Sequence, residues 1–168
     1  METIWQDLTN GIGGGVELTR IIFRLTMALV AGAAIGYQRE WEGKAAGLRT
    51  HALVSGGACL LVIASASSGM SPEGLSRVVQ GIVTGIGFLG AGNILKLSQE
   101  HLVKGLTTAA GIWVTAAIGV AIGLGTVGLA LIGTALAIVI LAIVKPLEAS
   151  LLKGHISESA VPMGDTDK

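Results

Sequence analysis

Runs without Asp, Glu, Lys or Arg divide the chain. Thr50–Pro72 is free of them over 23 positions, Val78–Leu95 over 18 and Gly105–Val144 over 40. A bilayer core about 30 Å thick is crossed by roughly 20 apolar residues in a helix. The first two runs therefore each predict one membrane-spanning helix. Forty residues would make a helix about 60 Å long, so the third run must fold back. The glycines in Gly123–Gly128 mark the expected turn. Ile21–Tyr37 predicts a further span although Arg24 interrupts it, because a long cationic side chain near a helix end can reach the headgroups. The expectation is an all-α polytopic membrane protein with five helices, at about 20–37, 50–69, 76–95, 105–123 and 125–145. They form a transmembrane domain over 20–145, between an amino-terminal segment (1–19) and a tail (146–168).

Lysine and arginine fall unevenly between these spans. Arg39, Lys44, Arg49, Lys96, Lys104, Lys145, Lys153 and Lys168 lie on one side, against Arg20 and Arg77 on the other. By the positive-inside rule the amino terminus lies outside, while the carboxyl terminus and both longer basic loops are cytoplasmic. Met1–Gly15 carries Glu2 and Asp7 and lacks the basic start of a cleavable signal. The first span then serves as its own insertion signal.

Composition agrees with a bilayer environment. Of 168 residues 51% are hydrophobic and 13% charged, and the mean hydropathy is +0.74. Eleven basic and eleven acidic residues cancel, leaving no field or basic tract to attract nucleic acid. The 26 glycines are about twice the ordinary share. In membrane helices they permit close backbone approach. Gly32 with Gly36, Gly81 with Gly85, and Gly119 with Gly123 are each four apart and share a helix face. Gly85–Gly90 spells GIGFLG, a literal dinucleotide-binding pattern, but it lacks the preceding strand and the acidic residue about 20 positions on. Its glycines Gly85, Gly87 and Gly90, with Gly92, instead predict a closely packed helix or one that unwinds locally around a cavity.

The expected spans contain no Asp or Glu. A magnesium path ordinarily relies on carboxylates or the waters they hold, and a proton relay on Asp, Glu or His chains. No nucleophile and base, metal cluster or phosphate loop is present, so the sequence predicts a non-enzyme without cofactor or metal. The candidate functional residues are Arg39, Glu40, Lys44, Arg49, Thr50 and His51 in the first cytoplasmic loop. Arg77, Gln80, Asn93, Thr107 and Thr108 form a polar set in the membrane. Glu40 and Lys44 have the spacing of a helical ion pair. Cys59 reads as a small buried hydrophobe and Trp41 as an interface anchor.

Three stretches resemble the MgtC/SapB family of bacterial inner-membrane proteins: IGYQREWEGKAAGLRTHALVSGGA (Ile35–Ala58), RVVQGIVTGIGFLGAGNIL (Arg77–Leu95) and VKGLTTAAGIWVTAAIG (Val103–Gly119). Gln38 stands where the family pattern usually has Glu; longer relatives add a soluble carboxyl-terminal domain, and the 23 residues after Lys145 predict a short form without it. The resemblance implies a protein linked to growth under magnesium limitation and to survival inside host cells. It implies action by binding other membrane proteins, the F-type ATP synthase among them, rather than established magnesium transport. The glycine faces also suit a homo-oligomer. The alternative is a small transporter or channel whose third helix opens near Gly85–Gly92 around a path lined by Gln80 and Asn93. Lys44–Thr50 and Lys104–Thr108 resemble each other, which predicts that spans one and two repeat as spans three and four in the same orientation.

Overall fold

The computed structural model describes residues 14–97 and 102–158, so Met1–Gly13 and the end of the tail lie outside the described residues. Its elements in chain order are α1 (Gly14–Trp41), α2 (Leu48–Ser67), α3 (Pro72–Gly92), β1 (Leu95–Leu97), β2 (Leu102–Lys104), α4 (Leu106–Gly123) and α5 (Val127–Glu158). The protein is an all-α polytopic membrane protein. α1 to α4 are each long and apolar enough to cross a bilayer, and α5 is apolar over Val127–Ile143, a stretch about 26 Å long at the short end of spanning lengths.

Capping chemistry accounts for where several helices begin and end. α1 runs past its expected limit at residue 37 to Trp41, with Tyr37 and Trp41 one turn apart and in edge-to-face contact at 6.1 Å. It then breaks, because Gly43 takes φ +66°, a conformation natural to glycine. Glu40 and Lys44 consequently do not share a helix, and the expected pair is replaced by another contact: Glu40 Oε2 accepts from the Leu48 N–H at 2.9 Å. A carboxylate there satisfies an orphan donor of α2 and complements the helix dipole.

α3 begins at Pro72, earlier than expected. Ser71 caps it by accepting from Gly74 N–H at 3.2 Å, Pro72 occupies the first turn and Glu73 follows, all favoured at a helix start. It is continuous through Gly85 and Gly87 to Gly92. The expected local unwinding is therefore corrected: each glycine weakens helix propensity, yet no backbone bond is surrendered to a cavity. Asn93 ends the helix, its Nδ2 donating to Leu89 O at 2.9 Å. The chain then forms a two-stranded antiparallel ribbon, Leu95 opposite Lys104, where the sequence had suggested further helix and loop.

α4 contacts all four other helices and is the centre of the bundle. Its amino-terminal turn starts from Gly105 at φ +98°, directly beneath the Asn93 carbonyl. Its carboxyl end is closed by Arg24, whose Nη1 donates to Gly123 O at 3.2 Å. This favourable cation at a helix C-terminus gives Arg24 a partner within the protein. Two clusters flank α4. Ala28, Ile35, Cys59, Ile118 and Ile122 join α1, α2 and α4, while Ala58, Val62, Ile82, Ala116 and Val120 join α2, α3 and α4.

Candidate functional site

Three helix ends meet at one pole of the bundle: the last turn of α1 and the first turns of α2 and α4. Arg39 is brought there by the continuation of α1 and is only 2% exposed. Its Nη2 donates to Thr108 Oγ1 at 2.8 Å, and its Nη1 lies 3.4 Å from Glu42 Oε2. The guanidinium thus ties α1 to α4 and to the following turn through donors pointing in different directions, which a lysine ammonium on a flexible stem would reproduce poorly.

His51 is fully buried in the first turn of α2. Its Nδ1 is 3.0 Å from the Gly47 carbonyl. Because a carbonyl only accepts, the neutral ring carries its proton on Nδ1, leaving Nε2 as an acceptor. Nε2 faces α4 at Gly111, where an added methyl group would lie 3.6 Å away. One turn further along α2 is Ser55, also fully buried, and Thr115 of α4 is buried with its hydroxyl donating to Gly111 O at 2.8 Å. Gln38 Oε1, Arg39 Nε, His51 Nε2 and Ser55 Oγ are enclosed without a hydrogen-bond partner among the described residues. Free donors and acceptors held in an apolar bundle are costly. Their concentration around α1, α2 and α4 distinguishes this pole from the other described residues.

Other expected site residues lie around this pole or apart from it. Glu40, Lys44 and Arg49 are exposed on its rim, Thr50 is half-buried, and Thr107 is exposed beside the buried Thr108. Arg77 and Gln80 are exposed in the first half of α3, away from this pole, and Asn93 serves as that helix's terminal cap. The polar residues assigned to the membrane therefore do not form one set. Sequence reasoning passed over Glu42, although its position three residues after Arg39 was a readable signal. Gln38 was marked only as a departure from the family pattern, and Ser55 and Thr115 had no signal beyond being polar.

The glycines separate in the same way. A methyl group at Gly32 would collide with the His51 carbonyl, one at Gly36 would lie 2.6 Å from Leu48 Cα, and Gly90 is in ordinary contact with Ala109. By contrast Gly81, Gly85, Gly87 and Gly92 have nothing within 4 Å of such a group. Among the described residues, their expected role in packing does not operate. Gly81 and Gly85 instead border an open apolar groove of about 600 Å³ between α2 and α3, floored by Val54, Ala58, Ile82 and Ile86. Among the described residues no group of three His, Cys, Asp or Glu is placed to hold a metal.

Comparison with known proteins places these elements in a family. The model of the MgtC family matches residues 25–150, and the chain belongs to that family. It is 48% identical over 114 residues to the Escherichia coli (strain K12) protein named "Putative magnesium transporter YhiD", covering 62% of this chain and 51% of that protein. It is 47% identical over 114 residues to Protein SrpB of Synechococcus elongatus, covering 61% and 63%. With Protein MgtC of Salmonella typhimurium (strain LT2) it shares 46% identity over 104 residues, covering 62% and 43%. The matched region thus spans about half the length of these curated relatives. No solved structure matches the chain. Together with its apolar helices, these relationships make it a multi-pass bacterial membrane protein.

Proposed function

Starting from membership of the MgtC family, we propose that this protein is a non-enzymatic regulator of other membrane proteins and presents its Arg39 pole to them on the cytoplasmic side. The observation that carries this reading is the buried guanidinium. By binding Thr108 and approaching Glu42 it fixes the turn on which Glu40 and Lys44 are exposed, beside Arg49 at the start of α2. An exposed loop of mixed charge held in one posture loses less conformational entropy on binding than a free one. The orientation rests on the distribution of lysine and arginine. The role under magnesium limitation, and the F-type ATP synthase as one partner, follow from the family resemblance.

The name of the YhiD relative suggests magnesium transport. A hydrated or partly hydrated Mg²⁺ requires oxygen ligands, whereas the α2/α3 groove is lined by apolar side chains and glycine and α3 is unbroken. Two measurements separate the readings. Affinity purification from crosslinked native membranes is expected to recover a membrane-protein partner in a manner dependent on Lys44 and Arg49. Purified protein in liposomes is expected to give no Mg²⁺ flux. Mg²⁺ flux into such liposomes, together with no Lys44- or Arg49-dependent partner, would overturn the proposal.

A further inference from the structure

The first four helices form two hairpins that meet reciprocally: α1 touches both α2 and α4, and α3 touches both α4 and α2. Two repeats facing each other across a two-fold axis make contact in this way. Residues of the two hairpins match at a constant shift along each helix. His51 of α2 faces Gly111 of α4 across the centre. One turn further on Ser55 and Thr115 are both fully buried, and beyond them Val62 and Ile122 are again both fully buried. In the first helix of each hairpin, Gly36 lies against Leu48 at the start of α2, and Gly90 lies against Ala109 at the start of α4.

α5 departs from this symmetry. It contacts α4 and α1 and covers the seam between them. Its Ala130 shares a core with Ala28, Ala31 and Ile118, against which Met27, Val114 and Ala121 also pack. At the same shifts, the counterparts of these α1 and α4 residues are Ile82, Gly85 and Ala58, with Gly81, Val54 and Leu61. All of these counterparts line the open groove of about 600 Å³ between α2 and α3. The groove therefore occupies, on one side of the bundle, the place that α5 fills on the other.

We propose that this groove receives one apolar membrane-spanning helix of a different membrane protein, docked as α5 is docked on the α1/α4 seam. The inference rests on the reading of the chain as a regulator of membrane proteins, and it locates the contact within the bilayer. α5 shows the chemistry that such a helix needs. On its inward face Ala130 and Thr134 are buried and an added methyl group at Gly133 would lie 3.8 Å from Ile118, whereas Leu129, Leu136 and Ile140 face outward. Small residues three and four apart let helix backbones approach closely, which supplies the attraction in lipid. Where α1 carries Met27 and Ala31, α3 has Gly81 and Gly85, so the groove also has room for larger apolar side chains. From Val78 to Leu89 it runs about 16 Å, roughly three helical turns. Its Leu53 end lies one turn from Arg49, and a helix leaving it there emerges beside the charged rim. A second copy does not supply this helix from its own α5, whose inward face is already covered and which follows α4 after only Leu124–Thr126.

Photo-crosslinking of the full chain tests the proposal, from a benzoylphenylalanine at position 89 in the groove, with position 140 on the outward face of α5 as reference. The probe is a synthetic peptide of Val127–Val144 flanked by lysines, added to the purified protein in phosphatidylcholine vesicles. A control peptide carries Ala130→Leu, Gly133→Leu, Thr134→Leu and Ala137→Leu. The expected adduct from position 89 is about ten-fold stronger than from position 140 or with the control peptide, as a close helix contact requires. Gly85→Leu, whose side chain enters the groove, should abolish it while the melting profile in detergent is kept, since nothing lies within 4 Å of that glycine's added methyl group. In native membranes position 89 should give an adduct with another membrane protein that excess peptide displaces. No adduct at position 89, equal adducts at both positions or with both peptides, or a native adduct only with a second copy of the chain would overturn the proposal. Such a failure with a Lys44-dependent partner retained would remove the groove and leave the regulatory reading. A groove adduct without any Lys44-dependent partner would do the reverse.

Discussion

Gly32 and Gly119 face carbonyl groups of the neighbouring α2, at His51 and Ser55, while Gly81 and Gly85 face open space. Both pairs of positions belong to apolar helices, and both would be read alike as packing faces. The first pair lies where α1, α2 and α4 meet, and its missing side chains bring backbone against backbone around Arg39 and His51. The second lies on α3, which buries only Ile82 and Gly90. A small residue would permit close approach in both places, but only in the first does a described element make that approach. The charged pole rests on the closed contact, and the outward face of α3 stays open.

The largest effect is expected from Gly119→Leu. The Ser55 backbone occupies the space that the new side chain requires, and backbone cannot yield as a flexible side chain does. Destabilisation above about 3 kcal/mol, read as loss of folded protein on thermal unfolding in detergent, is the predicted result; a near-normal melting profile would show that the contact is not closed. Arg39→Ala comes next, at about 3 kcal/mol, because it leaves Glu42 mostly enclosed and without its cation. Arg39→Lys should recover only part of that loss. Glu40→Ala removes the carboxylate at the start of α2 and should cost about 1 kcal/mol, seen as faster amide exchange at Leu48. The smallest change belongs to Gly85→Ala. With open space around it and a gain in helix propensity, its monomer should change by no more than about 1 kcal/mol, in the stabilising direction. Strong destabilisation there would erase the contrast between the two surfaces.

Much of this architecture is legible in the sequence because the bilayer imposes long uncharged runs. The turn between α4 and α5 follows from its glycines, and α3's start was written in Ser71, Pro72 and Glu73, a capping signal finer than hydropathy. The ribbon between β1 and β2 was not legible, since three-residue strands leave no periodic pattern long enough to read. At the site, the charged loop containing Arg39, Glu40 and Lys44 stood out against a charge-poor chain. That Arg39 would turn inward to Thr108 while Lys44 stayed exposed depends on α4, 69 positions away, and local spacing carries no such contact. Gly81 and Gly85 show the same limit, since spacing identifies a face but not what lies across from it.

The most direct test of the functional proposal is site-specific photo-crosslinking from position 44 in native membranes, comparing wild-type Arg39 with Arg39→Gln at equal folded abundance. The predicted result is a discrete adduct with another membrane protein that is strongly diminished in Arg39→Gln, as the buried guanidinium no longer fixes the loop. An adduct of equal yield in both proteins, or none in either, would contradict the assignment of this pole as the regulatory contact.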